Sequence, residues 1–118
     1  MPITGPFGTS SKPETLNIGF DTPGILHAAG MEVCITMDHP VQPLQYLSAH
    51  AALAVKEGMC EQAALRAITI NAAKLGSVDD LVGSLKPGKD ADISVFSAHP
   101  FDYKSHTVAV FSAGKRVR

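Results

Sequence analysis

Asp38 and His39 are the residues best placed to do chemistry in this sequence. They close the stretch M-E-V-C-I-T-M-D-H-P, residues 31–40, in which five of the first seven residues are apolar. A carboxylate at the tip of a buried strand can bind a divalent metal, or hold and deprotonate a water. The plainer alternative for Asp38 is that it tops the strand or caps the next helix. His39 follows at once. Neighbouring side chains on a strand point to opposite faces, so the two would not readily share one ligand. Contact with a substrate is one role for His39; a hydrogen bond to the adjoining loop is the other.

The elements around this pair decide whether the placement is meaningful. Val33 and Ile35 are β-branched, and a short, nearly continuous apolar run suits a strand buried on both faces of a parallel sheet. Pro40 cannot donate to a ladder and restricts the residue before it, so the strand stops there. Ligands of α/β folds bind at such carboxyl ends. Residues 1–4 read as the end of another strand, which implies that the chain starts inside a larger fold. Residues 5–22, rich in Gly, Ser, Thr, Pro and Asp, read as a long loop, a type that is uncommon without a function. That loop, with Gly5-Pro6 and Lys12-Pro13-Glu14, leaves the same end of the sheet as Asp38 and could cover a site there. A short helix follows, with Thr22 as N-cap, Pro23 at the first position and Gly30 as the stop. The sum is a βαβ unit, with residues 2–4 and 32–37 parallel and a right-handed crossover.

Helical spacing resumes after Pro40. Leu44, Leu47, Ala51, Ala54 and Val55 give one apolar face over about residues 44–57, closed by Gly58. A helix over about 61–70 starts at Cys60, a poor cap. Asn71 caps one further turn to Leu75, ended by Gly76. From Gly83 the period becomes two. Pro87-Gly88 fits a type II turn, Ile93 and Val95 mark a strand, and Val108, Val110 and Phe111 another. Ala113-Gly114-Lys115 turns into a last short strand at Val117. The final third therefore reads as antiparallel β.

Other functions find little support. Net charge is −1 over 118 residues, so no strong field favours nucleic acid or an anionic membrane. No apolar run approaches a membrane span. His27, His50, His99 and His106 stand in neither H-x-H nor H-E-x-x-H spacing and read as structural. Cys34 and Cys60 make no C-x-x-C pair; Cys34 reads as a packed apolar group, and a reduced cytoplasmic setting fits this usage. No phosphate-binding loop and no nucleophile elbow occurs.

The chain resembles the C-terminal end of the amidohydrolase superfamily, the metal-dependent hydrolases related to imidazolonepropionase and the cyclic amidases. The resemblance rests on I-T-M-D-H-P-V at 35–41, A-A-L-A-V-K-E-G-M at 51–59, A-L-R-A-I-T-I-N-A-A-K at 64–74 and V-G-S-L-K-P-G-K-D-A-D-I at 82–93. It implies an α/β fold: the last two strands and helices of a TIM (β/α)₈ barrel over residues 1–82, then antiparallel strands of a small composite β domain over 83–118. It also implies a divalent metal, zinc or similar, and a small-molecule substrate carrying an amide-type C–N bond. By motif match Asp38 is the metal-binding and catalytic aspartate; His39 and the loop over residues 5–14, beside it, are expected to touch substrate. Such a barrel takes ~250 residues. The family's H-x-H pair, bridging lysine or glutamate and further histidines are absent here, so the expectation is a chain inactive alone that does not hold the metal stably. Two other readings are an assembly module pairing through an exposed edge of the Met31–Asp38 strand, and one half of a split hydrolase complemented by an N-terminal piece.

Overall fold

The computed structural model describes residues 1–8, 13, 17 and 19–118. Two short strands open the fold: β1 (Ile3–Thr4) and β2 (Cys34–Ile35). They pair in parallel, Ile3 opposite Cys34 and Thr4 opposite Ile35. The ladder is shorter than the apolar run implies, yet burial continues past it. Val33, Cys34, Ile35 and Met37 are all at most 4% exposed. The hydrophobic pattern thus reports the buried stretch, and the paired stretch is only part of it.

Helix α1 (Thr22–Ala28) forms the crossover. Its cap is Asp21 rather than Thr22, and Asp21 makes no side-chain capping bond. Gly30 ends it as expected. Its φ is +83°, its N–H donates to the His27 carbonyl at 2.9 Å, and the Met31 N–H donates to that of Leu26 at 3.1 Å. This is a Schellman motif, which glycine enters without steric penalty. Helix α2 (Leu47–Lys56) closes in the same way at Gly58. A 3₁₀ turn over Leu44–Tyr46 precedes it, and Leu44 lies 57% exposed, off the apolar face assigned to it. Helix α3 (Glu61–Ala67) starts at Cys60, which makes no side-chain cap bond.

Helix α4 (Ile70–Leu75) starts earlier than its sequence reading and ends at Leu75 as expected. It begins after Thr69, so Asn71 lies inside the helix rather than at its cap. The left-handed residue at its far end is Ser77, φ +56°, and Gly76 remains right-handed. Ser77 and Val78 N–H groups donate to the Lys74 and Ala73 carbonyls, again a Schellman pattern.

Alanine dominates the core. Ala51, Ala54, Ala63, Ala64 and Ala67 join Phe7, Ile35 and Met59 in one buried cluster, so α2 and α3 approach closely across small side chains. Beyond α4 the chain forms an antiparallel sheet in the order β3 (Ile93–Phe96), β4 (Thr107–Ser112), β5 (Lys115–Arg116). Ala113 and Gly114, both at positive φ, link β4 to β5 in a two-residue hairpin turn. Gly88 at φ +90° and the Lys89 N–H to Lys86 carbonyl bond fit the type II turn expected at Pro87-Gly88.

Candidate functional site at the carboxyl ends of the parallel strands

β2 ends at Ile35, three residues before Asp38. Met37 is still buried at 2% exposure, whereas Asp38, His39 and Pro40 are exposed. Asp38 therefore stands on a turn beyond the strand. Strand alternation does not govern it and His39, and the separation expected from that rule does not apply. The turn is defined by its backbone. Asp38 has φ +49°; its N–H donates to Thr36 Oγ1 at 3.2 Å, and its carbonyl accepts from the Val41 N–H at 2.8 Å. The Gln42 N–H reaches back to the Met37 carbonyl at 3.3 Å. Aspartate is among the few non-glycine residues that tolerate this left-handed region.

The segment after β1 meets this turn, as the parallel pairing requires. Gly5, φ +109°, lies so close to the Thr36 carbonyl that an added Cβ would collide with it. Phe7 is 1% exposed, and its carbonyl accepts from Gln42 Nε2 at 2.5 Å. Gln42 thus ties the loop after β1 to the turn after β2. It had no sequence motif to mark it. Lys12 and Glu14, also candidates to cover the site, lie outside the described residues.

The other end of β2 is held by polar contacts. Asn71 Nδ2 donates to the Val33 carbonyl at 2.9 Å. Lys74 Nζ donates to Glu32 Oε1 at 2.7 Å, with Arg66 at 3.7 Å from the same oxygen. The Lys74 bond holds the Glu32 carboxyl below its usual value, against a smaller effect of burial. A cavity of about 220 Å³ opens beside these groups, lined among others by His27, Met59, Arg66 and Asn71. It lies at the end of the strand opposite Asp38.

The remaining histidines sit in structural contacts. His99 Nε2 is 3.5 Å from Glu61 Oε1, and His106 Nδ1 is 3.1 Å from Ser97 Oγ. His50 packs against Phe7 and Phe20. Both cysteines are free; burial raises the Cys34 thiol, and Cys60 is exposed.

Among the described residues no three His, Cys, Asp or Glu side chains come together as a cation site. Of the other residues only Glu14 is of that type. A protein metal site takes three or more such ligands. Asp38 and its neighbour do not make that set, so this chain's residues do not fit the divalent metal of the family by themselves. The strand edge is also less open than the apolar run implies. Val33 and Ile35 are 2% and 4% exposed, and Asn71 already occupies the Val33 carbonyl.

Comparison with known proteins identifies the lineage. The overall arrangement of the chain is shared with solved amidohydrolases. A crystal structure of an amidohydrolase from Thermotoga maritima MSB8 superposes with a TM-score of 0.93 at 38% identity, covering 100% of this chain and 31% of that one. A second amidohydrolase crystal structure matches at a TM-score of 0.67 and 20% identity over 91% of this chain and 29% of its own, a likeness of fold alone. The imidazolonepropionase of Fusobacterium nucleatum subsp. nucleatum is 33% identical over 100 residues, 75% of this chain and 24% of that protein. Residues 15–117 match the amidohydrolase family, and the chain belongs to it. It spans 24% to 31% of the length of these relatives. Among the described residues no helix is long and apolar enough to cross a membrane.

Proposed function

We propose that this chain is the carboxyl-terminal section of a barrel amidohydrolase, and that Asp38 is its contribution to a hydrolytic centre. Residues 1–82 then supply the last two strand–helix units, and residues 83–118 supply strands of a small β domain. The observation that carries this reading is the superposition of the whole chain on 31% of the Thermotoga amidohydrolase at a TM-score of 0.93. The position of Asp38, on the turn that follows a buried parallel strand, supports this role, because α/β enzymes bind ligands at that end of their strands.

The substrate is a small molecule with an amide-type C–N bond, and a cyclic amide such as imidazolonepropionate is the natural first choice given the Fusobacterium relative. In this reading Asp38 is the base that takes a proton from the attacking water, with its position fixed by the turn rather than by ion pairing. His39, exposed beside it, contacts substrate. The remaining ligands of a metal centre lie outside this chain's described residues, so no metal-dependent step is assigned to the chain alone.

Steady-state hydrolysis of imidazolonepropionate by the purified 118-residue chain with added Zn²⁺ tests this. The expected result is no turnover above the metal alone. Turnover that disappears in Asp38→Asn would show a complete centre within these residues and overturn the reading.

A further inference from the structure

His50 lies on α2 with its ring between two phenylalanines that bracket the loop leaving β1. Its ring centroid is 5.9 Å from that of Phe7, at an interplanar angle of 26°, and 5.7 Å from that of Phe20, at 73°. The two phenyl rings are 5.1 Å apart, which closes a three-ring cluster. His50 Nδ1 is buried and has no hydrogen-bond partner among the described residues. A neutral imidazole tolerates this as a bare acceptor nitrogen. An imidazolium places an N–H there with nothing among the described residues to receive it, in surroundings that penalise charge.

The cluster is linked to the Asp38 turn by contacts. Phe7 stacks on His50, the Phe7 carbonyl accepts from Gln42 Nε2, and the Gln42 N–H closes the turn onto Met37. We propose that neutral His50 is the keystone that holds the start of the β1 loop over the strand ends, and that its protonation releases Phe7 and loosens the Asp38–Gln42 turn. This acid-operated catch is independent of the hydrolase reading and needs no metal or substrate.

Burial alone holds the His50 imidazole below the ordinary histidine range. The titratable groups on the elements packed against it are His27 of α1, Glu61 and Arg66 of α3, Tyr46 of the 3₁₀ turn and Cys34 of β2, with Lys56 on α2 itself. None of them contributes to the shift. The fall in pKa and the orphaned nitrogen therefore act in one direction: acid favours the released state.

NMR titration of the full chain from pH 8 to pH 5 reads this directly. The His39→Gln variant is used throughout, because His39 is a second imidazole on the turn itself. The expected result is that the Phe7 and Phe20 ring signals and the Val41 and Gln42 backbone amides move with one midpoint. That midpoint belongs to His50 and lies below the ordinary histidine value. Exchange of those two amides, corrected for intrinsic rate, rises by up to tenfold per pH unit as pH falls from the ordinary histidine value to that midpoint and levels off below it, as expected for an open state that takes up one proton. His50→Phe abolishes the titration of the turn. His50→Gln serves the same purpose should that variant fail to fold. Turn amides that ignore the His50 midpoint would overturn the proposal. So would a His50 midpoint at or above the ordinary value, which would mean that the phenyl faces hold the cation.

Discussion

The side-chain amide of Asn71 donates to the Val33 carbonyl at 2.9 Å, joining α4 to the base of the strand whose far end leads to Asp38. Asn71 is only 5% exposed, and its Oδ1 has no partner among the described residues. Replacing it with alanine leaves the Val33 carbonyl buried and unpaired. Asn71→Ala should lower stability by about 1–3 kcal/mol. Urea unfolding followed by circular dichroism checks this; a loss under about 0.5 kcal/mol would mean that water or relaxation replaces the bond.

Asp38 has a backbone role that can be separated from its chemistry. At φ +49° a β-branched residue is strained, whereas Asn and Gly are not. Asp38→Asn and Asp38→Gly should leave the melting temperature nearly unchanged. Asp38→Val should lose about 1–3 kcal/mol. A destabilised Asn variant would mean that the carboxylate charge itself holds the turn.

Gly5 is sensitive for a different reason. It combines positive φ with a backbone neighbour, the Thr36 carbonyl, where a Cβ would sit. That carbonyl belongs to backbone tied to β1 by the Thr36 N–H to Thr4 carbonyl bond and has little room to give way. Gly5→Ala should therefore cost about 3 kcal/mol, strain and overpacking together. Gly30→Ala, where positive φ meets open space, should cost about 1 kcal/mol. The difference between the two, measured by chemical denaturation, isolates the contact from the backbone conformation.

Two groups give opposite ends of a pH profile. Folding lowers the Glu32 carboxyl below its ordinary value of 4.5, so its contribution is full above that pH and is lost as pH falls through the folded value. The pair with Lys74 is exposed, so the loss should be small, weaken with salt and vanish in Glu32→Gln. His50 is also lowered, from 6.5, but here the neutral form is favoured. The unfolded chain binds the proton more readily, so stability falls as pH drops below that value. Urea midpoints at pH 8, 6, 5 and 3.5 should fall in two stages. His50→Phe should remove the first stage only.

What the sequence made legible was local. Gly30 and Gly58 marked helix ends because a left-handed residue after a helix needs no distant partner. The β-branched run at Val33 and Ile35 marked a buried stretch for the same reason, and family motifs identified the lineage. Asn71 was misread because its partner, Val33, is 38 residues away. As a short polar residue before a helical turn it looks like a cap. Ser77, not Gly76, takes the left-handed position, although the helix itself ends at Leu75 as composition implies. Leu44 fits helical spacing but falls in a 3₁₀ turn, where the period is three and the face rotates away. Gln42 was invisible: its value lies in reaching the Phe7 carbonyl across 35 positions. Asp38 and His39 were singled out by position alone, while the turn that carries Asp38 could be seen only in three dimensions.

The most direct measurement transplants this chain into a complete enzyme. Residues 1–118 replace the superposed section of the Thermotoga amidohydrolase, and hydrolysis by the chimera is compared with that of its Asp38→Asn form. Asparagine preserves the left-handed turn and removes only the carboxylate. The chimera should fold and turn over substrate, and the substitution should reduce the rate by roughly 10²–10⁴-fold, the range for loss of a general base. A folded, active chimera whose rate is unchanged by Asp38→Asn would contradict the assignment of Asp38 to the hydrolytic centre.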